Sequence, residues 1–251
     1  MINFSFGFAF GWIAPAIEYL KSDKAPFKAS AEELSWIASA LFAMEVLFAG
    51  LNGAFTKKLG RKPILVFAAF LQALGWFIKI FANSPTMLII GRGLVGVSGG
   101  THDIIWCMYL GEVTSPVERG VYGSILVSSF LAGVMIEFFL SLWVPYIWLS
   151  IIPCIISTLA FAMKFFIVET PFYLIMKGKH EIAIRNFAWL RGQDDPQFVK
   201  PEFDEMKKYV EEEAGKSYGL IHVLRNLSRY KVAIVGVLIF TLAQPSGNIA
   251  I

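Results

Sequence analysis

Seven stretches of this chain each run for about twenty mostly apolar residues, at roughly 3–20, 36–56, 64–82, 87–110, 121–142, 145–168 and 231–251. A bilayer core needs about 20 such residues per helix. Membrane strands would be about half that length and alternate in polarity. A helix also satisfies its own backbone N–H and C=O groups where no water can do so. The expectation is therefore an all-α membrane protein.

Charge placement agrees. Only 16% of the 251 residues are charged and 56% are hydrophobic, with a mean hydropathy of +0.61. Soluble domains carry about 25% charged residues, so a soluble enzyme, a nucleic-acid binder and a disordered chain are all disfavoured. Residues 169–231 hold 11 of the 22 Lys and Arg and 10 of the 19 Asp and Glu. The rest of the chain is left with long, nearly charge-free segments.

Basic residues also set an orientation. Lys57, Lys58, Arg61 and Lys62 crowd the second connection, Arg119 sits in the fourth, and the 169–230 connection is rich in bases. These three fall on one side if the spans alternate. That side is expected to be cytoplasmic, with the N-terminus on it. The opposite connections are balanced (21–35), uncharged (83–86) or almost absent (143–145). The start MINFSFGFAFGW lacks the basic region of a cleavable signal, so 3–20 is expected to be a true first span.

Residues 1–168 form one expected unit of six spans, 169–230 a helical cytoplasmic domain, and 231–251 a seventh span. Within 169–230, EIAIRNFAWLRG (181–192) places Ile182, Ala183, Asn186, Phe187 and Leu190 on one stripe, with Gly192 as its stop. Helices at 201–215 and 219–227 should follow. The chain ends within the seventh span, as a fragment would.

Four short motifs sit at helix ends: LGRKP (59–63), GRGLVGVSGG (91–100), MYLGEVTSPVERG (108–120) and VETPFYL (168–174). Gly91, Gly93 and Gly96 match a dinucleotide fingerprint in spacing, but no strand precedes them. Small residues here fit close helix packing instead. Glu45, Asp103 and Glu137 lie inside spans. An acid there costs at least about 2.5 kcal/mol unless it faces a partner or a wet cavity, so Asp103 and Glu137 are candidate substrate or proton sites. Trp12, Trp76, Trp106, Trp143 and Trp148 read as interfacial or lipid-facing aromatics. Cys107 and Cys154 lie in apolar runs and suggest neither a disulfide framework nor a metal site. No nucleophile elbow, H-E-x-x-H or P-loop appears, so no catalytic residues, cofactor or metal are expected. Bases and acids nearly balance in the insert, which gives no reason to expect nucleic acid.

Taken together and in this order, the motifs resemble the sugar porter family of the major facilitator superfamily. LGRK, the GR opening span four, YLGE…RG, ETP and KGK…WLRG all match, and QPSGN (244–248) is similar to the family's span-seven Q-Q-x-S-G-x-N. Within the family, GWIAPAI (11–17) looks most like the insect facilitated trehalose transporters. The resemblance implies the N-terminal six-helix bundle of a twelve-span carrier, a cytoplasmic helical insert and the start of a seventh span. It implies alternating access around a midplane site, with the missing C-terminal half required for transport. The expected substrate is a small molecule, trehalose or a hexose, moved across a cell membrane. A proton-coupled or non-sugar carrier, and a transport-dead sensor, are the alternatives.

By the same resemblance, Arg61, Lys62, Glu112, Arg119 and Glu169 would form an inner gate of ion pairs. Gln244 and Asn248 would contact substrate alongside Asp103 and Glu137, and Arg92, Gly60, Gly96 and Gly133 would be structural. The departures are Lys57 where the loop motif has an acid, Val127 and Ala243 where glutamines are usual, and Phe172 where an Arg often follows E-T-P. Ala9 stands where the proton symporters carry an Asp, which favours facilitated diffusion.

Overall fold

The computed structural model describes residues 1–214. The span expected at 231–251, the helix at 219–227, Gln244 and Asn248 lie outside the described residues. The first 203 residues form one compact unit, and a second begins at Asp204. Among the described residues all regular structure is helical.

Ten helices follow in order: α1 (Ile2–Gly11), α2 (Ile13–Lys21), α3 (Ala31–Leu59), α4 (Arg61–Ile80), α5 (Pro85–Val113), α6 (Pro116–Ser141), α7 (Trp148–Lys164), α8 (Pro171–Met176), α9 (His180–Leu190) and α10 (Lys200–Ala214). The first expected span is divided at Trp12. Pro15 has no N–H to offer the Gly11 carbonyl, so the hydrogen-bond ladder lapses there. The other five expected apolar runs within the described residues are helical to within a few residues, as α3 to α7. The 31–52, 61–80 and 118–141 segments are long and apolar enough to cross a membrane by length and composition, and α7 is a shorter apolar helix.

Capping starts the long helices. Ser30 accepts from the Glu33 N–H while Glu33 reaches back to the Ser30 N–H, and Ser115 and Glu118 repeat the arrangement. Gly60, with φ +90°, ends α3 and starts α4. A side chain would be strained there, and its Cβ would collide with the Glu169 carboxylate.

The bundle is pinned by small residues. A Cβ on Gly96 would strike the Leu41 carbonyl, and one on Gly100 the Glu45 carbonyl, so α5 lies directly on the α3 backbone. Gly7 and Gly133 bring α1 and α6 together in the same way, each against a carbonyl of the other helix. Polar links cross these contacts. Asn52 donates to the Gly100 carbonyl at 3.0 Å, and Ser98 donates to Gln72, which donates to the Ile2 carbonyl. The core gathers Phe6, Phe8, Trp12, Ile37, Leu41, Trp76, Leu88, Val95 and Leu149. Large apolar side chains also cover the outside: Val46 is 75% exposed and Phe139 61%. That distribution suits lipid or another helical layer.

Trp12 and Trp76 correct the interfacial expectation, since both are fully buried. Each ring covers a buried cation, a demand that hydropathy does not report. Trp143 and Trp148 are exposed, as expected. In α9 the buried face is Ala183, Phe187 and Ala188, whereas Ile182 points outward. Gly192 does end that region with φ +66°. The short helix α8 and a 3-10 turn at Pro196–Val199 were not signalled by periodicity.

Candidate functional site: a latch at the basic end of the bundle

Three helix ends converge where the sequence is most basic. The α3–α4 turn contributes Gly60, Arg61 and Lys62. The end of α5 contributes Glu112, and the segment after α7 contributes Phe165 to Tyr173. The turn is tight because LGRKP passes from helix to helix through one glycine.

Arg61 is buried and pairs with Glu112. Its Nη2 lies 2.5 Å from Oε1, and its Nε donates to the same oxygen at 3.1 Å. Burial pushes the Glu112 carboxyl above its usual range, while the guanidinium beside it pulls the other way. The pair is incomplete among the described residues: Arg61 Nη1 is buried without a partner, whereas the Thr170 hydroxyl lies beside the Glu112 carboxylate and favours its charged form. The Tyr173 ring lies 5.3 Å from the guanidinium, in cation–π range.

Glu169 does something different. Its Oε1 accepts the N–H groups of Arg61 at 3.1 Å and Thr170 at 3.0 Å, and Oε2 accepts the Lys62 N–H at 3.2 Å. It therefore caps the N-terminus of α4, where unpaired amides and the helix dipole favour an anion. The side chains of Lys62 and Arg119 reach main-chain carbonyls rather than acids: Lys62 Nζ donates to Phe165 at 3.1 Å and Arg119 Nη2 to Gly111 at 2.8 Å. Of the five expected gate residues, the structure brings Arg61, Lys62, Glu112 and Glu169 together. It leaves Arg119 exposed on the first turn of α6.

Several participants carry no charge signal. Tyr109 donates through its hydroxyl to the Val168 carbonyl, Tyr173 to the Lys58 carbonyl, and Asn186 to the Glu169 carbonyl. Arg191, within the WLRG motif, donates to the Val113 carbonyl and pairs with Glu202 at 2.6 Å. The motif marked that arginine, but only the tertiary arrangement shows that it ties α9 to the end of α5.

Away from the latch, Asp103 stands on a part-exposed face of α5 with Ile104, Cys107 and Met108, its side chain 51% exposed. The adjacent His102 turns inward, with Nδ1 3.8 Å from the Asp103 carboxylate. Glu45 is half-buried on α3. Glu137 lies elsewhere, fully buried within the bundle against Gly11. Arg92 does not reach Asp103. It donates to the Ala9 carbonyl at 3.0 Å and the Ala38 carbonyl at 3.3 Å, tying α5 to α1 and α3.

The family model for sugar (and other) transporters matches residues 1–251. The facilitated trehalose transporter Tret1 of Polypedilum vanderplanki is 29% identical over 244 residues, covering 96% of this chain and 48% of that protein. The human solute carrier family 2, facilitated glucose transporter member 6, is 30% identical over 219 residues, covering 85% of this chain and 42% of its own length. The chain thus spans about half the length of the curated relatives it matches. A partially occluded inward-open structure of the Escherichia coli xylose transporter XylE superposes with a TM-score of 0.71 at 18% identity, over 85% of this chain and 58% of that one. At that identity the match concerns fold: these helices are an N-terminal half-bundle of the major facilitator type.

Proposed function

Because the chain belongs to the sugar (and other) transporter family, we propose that it is the N-terminal part of a facilitative carrier that moves a sugar, trehalose or a hexose, by alternating access. The Arg61–Glu112–Glu169 latch serves as part of its inner gate, with Lys62 and Arg119 as flanking members. The observation that carries this reading is the open valence of the latch. Arg61 Nη1 is buried and without a partner among the described residues, and buried charged atoms are normally satisfied. A gate completed by residues from a second half, made in one state and broken in the other, requires such atoms.

In this reading the basic end is cytoplasmic in a multi-pass cell-membrane protein, and the 169–230 region is the cytoplasmic helical insert. Asp103 faces the substrate path, together with Gln244 and Asn248 of the seventh span. Gly60, Gly96, Gly133 and Arg92 hold the bundle's geometry. Transport needs the C-terminal half. Saturable uptake of radiolabelled trehalose or glucose by the full-length protein in liposomes is the expected result. Uptake indistinguishable from empty liposomes across a sugar panel would end the sugar reading.

A further inference from the structure

Far from the latch, near the opposite end of the half-bundle, lies a cluster of buried polar groups that the gate does not use. Lys79, one residue before the end of α4, is 3% exposed. Its ammonium lies over two indoles, 2.9 Å from the Trp76 ring centre and 4.5 Å from that of Trp12. Glu137, near the end of α6, is wholly buried. Its Cβ packs so tightly on Gly11 that a methyl group there would meet it at 2.9 Å. Lys79 Nζ and both Glu137 oxygens have no hydrogen-bond partner among the described residues. The two groups thus flank Gly11 and Trp12, where α1 gives way to α2, and each is the charge of opposite sign acting on the other.

A buried carboxylate with no donor is too costly to persist beside an ammonium that has chosen aromatic faces instead. A protonated carboxyl removes the conflict. We propose that Glu137, with Lys79 as its counter-cation, is a proton-binding site of this protein.

Two states follow. With the proton bound, Glu137 is neutral and Lys79 rests over Trp76 and Trp12, the arrangement in this structure. When the O–H bond breaks, the proton leaves to water and the carboxylate draws the ammonium off the indoles into an ion pair. A cavity of about 410 Å³ lined by Tyr19, Lys79, Leu88 and Tyr146 opens among the connections at this end, beside Lys79. Because Glu137 packs on Gly11 at the end of α1 and Lys79 lies over Trp12 at the break, the proton biases how that break is packed.

Other titratable groups lie around Lys79. They are Arg92 on α5, Tyr146 before α7 (stacked on Tyr19 at 4.1 Å) and Cys154 on α7. Arg92 is fixed on the Ala9 and Ala38 carbonyls and stays cationic. Tyrosine and cysteine ordinarily titrate on the alkaline side. Glu137 is the one acid among them.

This inference rests on the carrier reading only for its consequence, a pH-dependent transport rate. The test therefore reads the site directly. Purified full-length protein is titrated with acid and base while intrinsic tryptophan emission is recorded, with Trp76→Phe identifying the reporting indole. The expected result is a single-proton step that disappears in Glu137→Gln and Lys79→Met and shifts its midpoint in Glu137→Asp. A step that survives unchanged in Glu137→Gln overturns the proposal. If those variants fail to fold, infrared difference spectra of the native protein between about pH 6 and about pH 10, a range in which exposed carboxyls are already ionised, decide instead. A protonated-carboxyl band must be lost on alkalinisation, and a band unchanged throughout overturns the assignment. Sugar uptake enters neither readout, so a failed sugar reading and a failed proton site are distinguishable.

Discussion

Replacing Glu169 by alanine separates a helix cap from a simple ion-pair partner. The carboxylate accepts three main-chain N–H groups, two of them at the first residues of α4. A hydrogen bond to a charged group contributes about 1.5–3 kcal/mol, and an anion at a helix N-terminus adds about 0.3–1 kcal/mol. Water can replace part of this at a half-buried site, so the Glu169→Ala loss should be about 2–4 kcal/mol, close to one charged bond plus the dipole. Glu169→Gln keeps an acceptor oxygen in place and should lose only about 1 kcal/mol, the charged part of the effect. Each kcal/mol lowers Tm by roughly 2–4 °C for 150–250 residues and by less in a longer protein. Thermal unfolding of the full-length protein in detergent reads the difference. Equal losses for the two variants, or no loss for alanine, would refute the cap.

Arg61→Met and Glu112→Met should each cost about 3–5 kcal/mol, because each leaves its partner charge buried alone, whereas the variant carrying both should cost less than the two singles added; a double-mutant cycle on Tm checks this. Gly96→Val should lower stability by at least about 1–3 kcal/mol, since the new side chain meets the Leu41 carbonyl. Gly111→Ala, with open space around it, should leave the melting temperature unchanged or raised. Gly192→Ala should cost about 1 kcal/mol through its positive φ of 66° alone, read as earlier proteolysis between α9 and α10.

Much of the fold is legible from hydropathy because lipid imposes one simple demand: a run of apolar residues must be helical and about twenty long. Short connections then force neighbours to run antiparallel, and Ser30 and Ser115, each followed three residues later by Glu, mark helix starts. The division at Trp12 was also available, through Pro15. The apolar faces were harder. In a membrane the outside is as hydrophobic as the inside, so periodicity could not tell that Trp76 is core while Trp143 is surface. Short α8 was invisible because six residues carry too little pattern.

Sequence alone determined the helical class, the order of the long apolar helices, the basic end and the residues that crowd it. Their roles were decided only in three dimensions. Arg61, Lys62, Glu112 and Glu169 are charges at helix ends whichever partners they find. It is the packing of the α3–α4 turn on the segment after α7 that makes Glu169 a cap for α4 and leaves Glu112 to Arg61. Glu137 shows the same limit. Its place in the chain marks it as a costly acid in a span. Only the close approach of α1 and α6 at Gly11, with Lys79 across the break on Trp12, gives that acid a cation to answer it. Hydropathy is a property of single residues, whereas a charge's state depends on what surrounds it.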